Sequence, residues 1–136
     1  MLEIIQCFVG QAMACARKIV FHTDEDDLLY GIAFQFDSRF LILKAESNND
    51  TVSVHESSDV EQWLNREADS NALSLEPRNA LPALEGELLT NVWQCQSADN
   101  YTDAIDFGFG DLNYPVLKVF CITSELHLMS IGAMLP

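Results

Sequence analysis

Tyr30-Gly31-Ile32-Ala33-Phe34-Gln35-Phe36 alternates large apolar side chains with small or polar ones, and Ile105-Asp106-Phe107-Gly108-Phe109 repeats the alternation. Successive side chains of a strand point to opposite faces, so each stretch reads as a strand with one buried face. Both carry the pattern Ile-x-Phe-x-Phe, and a shift of 73 places superimposes them.

The match extends outward. The same shift sets Ile19-Val20 on Val92-Trp93, and after a short insertion around Leu112 to Tyr114, Leu41 and Leu43 correspond to Leu117 and Val119. Val52 and Val54 correspond in turn to Leu126 and Leu128. Turn-forming residues separate the strands of the first copy: Asp37-Ser38-Arg39, then Ser47-Asn48-Asn49-Asp50. The fold class expected is therefore α+β and mainly antiparallel β: two pseudo-repeated four-strand meanders, residues 14–55 and 87–129, forming a sandwich or a rolled sheet.

One or two helices complete this reading. Leu2, Ile5, Phe8, Val9, Ala12 and Met13 follow helical spacing, with Gly10 as a point where the helix can end early. Ser57-Ser58-Asp59 offers an N-cap for a helix over 58–67, whose Val60, Trp63 and Leu64 share a face. Between Ala68 and Leu84, Pro77, Pro82, Asn71 and Asn79 break every period, which reads as a surface segment connecting the halves. A chain of 136 residues suits one domain with one continuous core.

The formal charge is -14, from 21 acidic and 7 basic residues. Coulomb repulsion argues against binding nucleic acid or an anionic membrane surface and favours a basic partner. The apolar stretch Met1 to Ala16 lacks the basic start of a secretory signal, no segment reaches membrane-spanning length, and Cys7, Cys15, Cys95 and Cys121 show no Cys-x-x-Cys spacing. The cysteines read as reduced core thiols of a cytoplasmic protein.

No residue cluster has a recognised catalytic, metal or cofactor spacing. The acidic run Asp24-Glu25-Asp26-Asp27 lacks the glycine and glutamate of a calcium loop, and Gly108 and Gly110 lack the context of a phosphate-binding loop. His22, His55 and His127 each fall near a strand end, the last two at nearly equivalent points of the repeat. The copies differ most at the second hairpin, where Trp93, Gln94, Gln96, Asn100, Tyr101, Asp103 and Asp106 make a polar, hydrogen-bonding surface.

Val92-Trp93-Gln94 followed by Asn100-Tyr101-Thr102-Asp103 and the strand to Phe109 resembles the C-terminal signature of a family of small bacterial proteins of unknown function, with Asn100 standing where glycine is expected. The resemblance implies a bacterial cytoplasmic setting and, by analogy, a role as an antitoxin or immunity partner. The function expected is an acidic protein-binding module rather than an enzyme, with Asp24, Glu25, Asp26 and Asp27 steering a basic protein and Tyr101, Asp103 and Asp106 at the docked surface. Two alternatives stand beside it: a small-ligand binder or hydrolase with its site in a cleft between the halves, and a homo-oligomer pairing through a sheet edge.

Overall fold

The computed structural model describes residues 2–46, 50–67, 70–96, 102–110 and 114–131. The chain forms a sandwich of two antiparallel sheets. The first contains β1 (Cys15–His22), β2 (Asp27–Phe36), β3 (Arg39–Glu46), β4 (Thr51–Ser57) and β5 (Leu73–Leu75), in the order β4-β3-β2-β1-β5. The second contains β6 (Leu89–Gln96), β7 (Thr102–Phe109), β8 (Leu117–Ile122) and β9 (Glu125–Ser130), in sequence order. Each half thus forms the four-strand meander expected from the repeat.

The inner faces hold Ile32, Phe34, Phe36, Leu41 and Leu43 against Ile105, Phe107, Phe109, Leu117 and Val119. Pairing confirms the equivalence of three strands. Ile32 pairs with Leu43 as Ile105 pairs with Val119, and Leu43 pairs with Val54 as Val119 pairs with Leu128. The first strand corrects the expected match. Lys18 pairs with Ile32, whereas Gln94 pairs with Ile105, so the counterpart of Lys18 is Gln94 and the 73-place shift is three residues out there. An odd slip exchanges faces. Ile19 consequently points outward into a second core, while Val92 packs on the inner one.

That second core explains the helix. α2 (Val60–Asn65), capped by Asp59, lays Val60 and Leu64 on Ile19, Ala33 and Ile42, with Trp63, Leu73 and Leu75 alongside. It is shorter than the 58–67 expected. The connecting segment is more than a linker, because it supplies β5, which pairs with β1 at Ile19, Val20 and Phe21. α1 covers only Leu2–Gln6. Beyond it Gly10 takes a positive φ of 93°, and the Gly10 and Met13 amides donate to Leu89 and Glu87 carbonyls instead of continuing the helix. Ile5, Phe8 and Met13 are nevertheless buried.

β2 contains a bulge. Ile19 pairs with Gly31 but Val20 with Leu29, leaving Tyr30 as the extra residue. Leu29 therefore faces the main core, and Tyr30 the helix side. The β8–β9 turn uses Thr123 and Ser124, both at positive φ, where the usual Asn-Gly signal is missing. The expected turn at Ser47, Asn48 and Asn49 lies outside the described residues, as do Leu112 and Asn113 of the insertion.

Candidate functional site

The acidic run forms the β1–β2 hairpin. Thr23 Oγ1 accepts from the Glu25 and Asp26 amides at 3.3 and 2.9 Å, which leaves the carboxylates of Asp24, Glu25 and Asp26 exposed. Asp27 has already joined β2, and its Oδ1 lies 2.9 Å from His22 Nδ1. Two contacts join this end of the first sheet to the second. The Leu29 amide donates to Glu125 Oε2 at 3.2 Å and the Ser124 amide to Asp50 Oδ1 at 2.7 Å. β7 begins at the same end, so Asp103 adds to a pole carrying Asp24, Glu25, Asp26, Asp27, Asp50 and Glu125. Tyr101, Asn100 and Asp99 lie outside the described residues.

Ala104 pairs with Cys95 but Thr102 with Gln96, so Asp103 is the extra residue of a bulge in β7, and strict alternation does not carry through it from Asp106. Asp106 faces outward, opposite the Ile105, Phe107 and Phe109 side, as its alternation predicts. It sits in a cross-strand row of Trp93, Asp106, Lys118 and Met129, beside a row of Cys95, Ala104, Phe120 and His127. Asp106 is 9% exposed, and its Oδ1 makes no hydrogen bond within the described residues, Lys118 Nζ standing 3.4 Å away as an ion pair. Cys95 Sγ is 3.8 Å from Asp106 Oδ2. Burial, reinforced by the Asp106 charge, pushes the Cys95 thiol above its ordinary range. Gln94 was expected on this outward surface; its pairing with Ile105 turns it to the inner side, where its amide donates to Thr102 Oγ1.

The Trp93 ring lies over Gly108, where a Cβ would meet it at 3.3 Å. Phe120 and His127 stack, with centroids 5.3 Å apart and planes at 18°. Tyr114, Ile122 and Met129 are about half exposed. Unlike the outer face of the first sheet, this one has no described helix on it. Lys118 and Phe120 were legible as outward residues, since Leu117, Val119 and Cys121 alternate inward between them.

The three histidines are not brought together. His55 has its Nε2 2.9 Å from Ser53 Oγ, but the Ser53 hydroxyl donates to Glu46 Oε1 at 2.7 Å, so it accepts from the imidazole. Burial, then the Lys44 charge, holds His55 below its ordinary range. Glu67 receives Tyr30 Oη and Lys44 Nζ, each at 2.7 Å. Burial tends to raise Glu67, yet those two hydrogen bonds and the Lys44 charge outweigh it and keep the carboxyl below its usual range. Tyr30 is pushed up to about 12 by burial and by its bond to Glu67. Strand pairing sets Met129, not His127, as the counterpart of His55. On the far side of the first sheet's edge, His22 bridges Asp27 and Ser74, its Nε2 2.6 Å from Ser74 Oγ.

A crevice of about 260 Å³ opens between the sheets, lined by Lys18, Leu81, Leu117 and Leu128, and adjoins one of about 240 Å³ lined by Lys18, Glu76 and Arg78. Among the described residues no group of three His, Cys, Asp or Glu side chains could hold a metal, and no helix is long and apolar enough to cross a membrane. All four cysteines are free thiols; Cys121 is buried, but Cys7 is exposed on the turn after α1 rather than in the core.

No curated protein and no solved structure matches the chain. Residues 6–135 match the family model of a family of unknown function, DUF6334, and with nearly the whole chain covered this protein belongs to that family.

Proposed function

We propose that this chain is an acidic protein-binding module of the immunity or antitoxin type, which docks a basic bacterial protein on the outer face of its second sheet. The observation that carries the reading is the contrast between the sheets. The first has its outer apolar residues covered by α2, with Leu73 and Leu75 of β5 beside it, whereas the second presents Trp93, Phe120, His127 and Met129 around the Asp106–Lys118 pair with no described element over them. Half-buried aromatics around a partly buried charge pair are the composition of a binding hot spot.

Charge supplies the second support. Carboxylates of both sheets gather at the pole beside this face, and a formal charge of -14 draws a cationic partner while repelling a second copy of the same chain. Long-range attraction sets the encounter rate; the aromatic row sets the lifetime of the complex.

The test is capture from bacterial lysate at low and high salt by the wild type and by three variants, Trp93→Ala, Phe120→Ala and the triple reversal of Asp24, Glu25 and Asp26 to lysine. The expected result is a stoichiometric basic protein, lost at high salt, retained poorly by the aromatic variants and recruited slowly by the charge reversal. Equal capture by all four proteins, or none by any, sinks the reading.

A further inference from the structure

Three polar side chains from three strands form one hydrogen-bonded chain where β1, β2 and β5 meet. Asp27 Oδ1 is 2.9 Å from His22 Nδ1, and His22 Nε2 is 2.6 Å from Ser74 Oγ. β1–β2 pairing sets His22 opposite Asp27, and β1–β5 pairing sets Ser74 opposite Val20, diagonal to His22 on the same face. An ionised carboxylate can only accept, so the imidazole proton sits on Nδ1 and the Nε2 lone pair faces the serine hydroxyl. That order of groups makes a serine nucleophilic. The Ser53–His55 contact in the same sheet has the opposite order, because Ser53 gives its proton to Glu46.

The surroundings point to a substrate. Ala16 packs in the main core, so Lys18, Val20 and His22 alternate along the β1 face turned toward the second sheet, and Lys18 lines the crevice between the sheets. Lys18 lies opposite Glu76, whose amide donates to the Lys18 carbonyl at 2.9 Å, which makes Lys18 a diagonal neighbour of Ser74. Neither Lys18 nor Arg78 has an ion pair among the described residues, in a chain where carboxylates outnumber basic groups three to one. β5 is an edge strand. With Ser74 and Glu76 bonded toward β1, alternation turns the Leu75 amide to the outer edge, next to the hydroxyl, as a donor for a developing oxyanion.

We propose that Ser74 is an acyl-accepting nucleophile, with His22 as its base and Asp27 orienting His22, acting on small carboxylic esters that carry an anionic group held by Lys18 and Arg78. Ser74 Oγ adds to the ester carbonyl carbon as its proton passes to His22 Nε2. The carbon–oxygen bond to the alcohol then breaks, and the departing alkoxide takes that proton. Water repeats the sequence, giving its proton to His22 while its oxygen bonds the acyl carbon; Ser74 leaves and recovers the proton, and the carboxylic acid is released. This activity is independent of the docking surface on the second sheet.

The test uses a fluorophosphonate probe with peptide mapping, and turnover of p-nitrophenyl acetate against the p-nitrophenyl monoester of succinate. Labelling is expected on the peptide containing Ser74, absent in Ser74→Ala and retained in Ser53→Ala. Asp27→Asn is expected to slow labelling by about tenfold or more through the wrong tautomer. Lys18→Met is expected to lower the ratio of succinate-ester to acetate turnover by about threefold to tenfold, and an unchanged ratio removes Lys18 from the site. Absence of labelling in the wild type, labelling unchanged in Ser74→Ala, or a label on another residue overturns the proposal. Circular dichroism of each variant separates lost chemistry from lost fold: a Ser74→Ala protein with the native spectrum and no label counts for the proposal, and an unfolded one transfers the test to Ser74→Thr, where retained labelling of the folded protein supports it and none overturns it.

Discussion

The rings of Phe34 and Phe107 meet across the sandwich with centroids 5.5 Å apart, and each is the other's counterpart in the repeat. Self-contact between equivalent residues is the signature of a local twofold relation between the sheets. Truncating either to alanine is expected to cost about 3–5 kcal/mol, and the double variant to depart from the sum by about 0.5–1.5 kcal/mol. Urea denaturation of the two single variants and the double variant measures both quantities; strict additivity would show that the rings do not cooperate.

Gly31→Ala and Gly108→Ala are expected to differ sharply. At Gly31 a Cβ would stand 2.7 Å from the Leu43 carbonyl oxygen, a backbone atom held in the β2–β3 ladder, and a loss of about 1–3 kcal/mol follows. At Gly108 the neighbour is the Trp93 ring at 3.3 Å, a side chain on an uncovered face that can give way. Thermal melting should separate the two, with Gly108→Ala reported chiefly by a change in tryptophan fluorescence.

Acid should weaken the fold in two steps. The lowered pKa of His55 means that folding favours its neutral form, so its contribution is full above the ordinary histidine value of 6.5 and is lost as pH falls through the depressed folded value. Glu67 behaves likewise in a lower window: its contribution holds above 4.5 and is lost further into acid. Melting temperatures between pH 7 and pH 5 should decline in the wild type and flatten in His55→Asn.

Tyr30 should ionise late. Its phenol is pushed up to about 12, so a stopped-flow alkaline jump read by ultraviolet absorbance is expected to show a phase near that pH which Tyr30→Phe removes. The same substitution leaves Glu67 with Lys44 alone and should cost about 0.5–1.5 kcal/mol.

Much of this fold could be read from side-chain period. β2 and β7 announce themselves through the every-second-residue spacing of Ile32, Phe34 and Phe36 and of Ile105, Phe107 and Phe109, β8 because it buries alternate residues, β3 as an apolar run between turns, and the helix is marked by Asp59 ahead of Val60 and Leu64. The misread strand was β1, since Ile19 and Val20 are both buried, on opposite faces, and a strand flanked by apolar layers on both sides carries no alternation to set its register. β5 escaped because three residues are too few for a period. Of the residues assigned to partner contact, Asp106 fell where its alternation put it, Asp103 is the extra residue of a bulge, and Asp27 entered a strand. Ser74 had no local signal at all: its relation to His22 exists only through pairing across 52 residues.

The three residues of β5 also matter while the chain is being synthesised. Until Leu73 to Leu75 and the amides of Glu76 and Ala80 arrive, the outer side of β1 presents bare carbonyls at Ala16, Lys18 and Val20. At roughly 5–20 residues per second, the ribosome needs on the order of 3–10 s to pass from His22 to Leu73. For that interval the nascent first sheet carries an unpaired edge on which a neighbouring chain emerging from the same message could add a strand. Proteins shortened at the 73–80 segment should therefore fail as aggregates during expression rather than as loosened but dispersed folds.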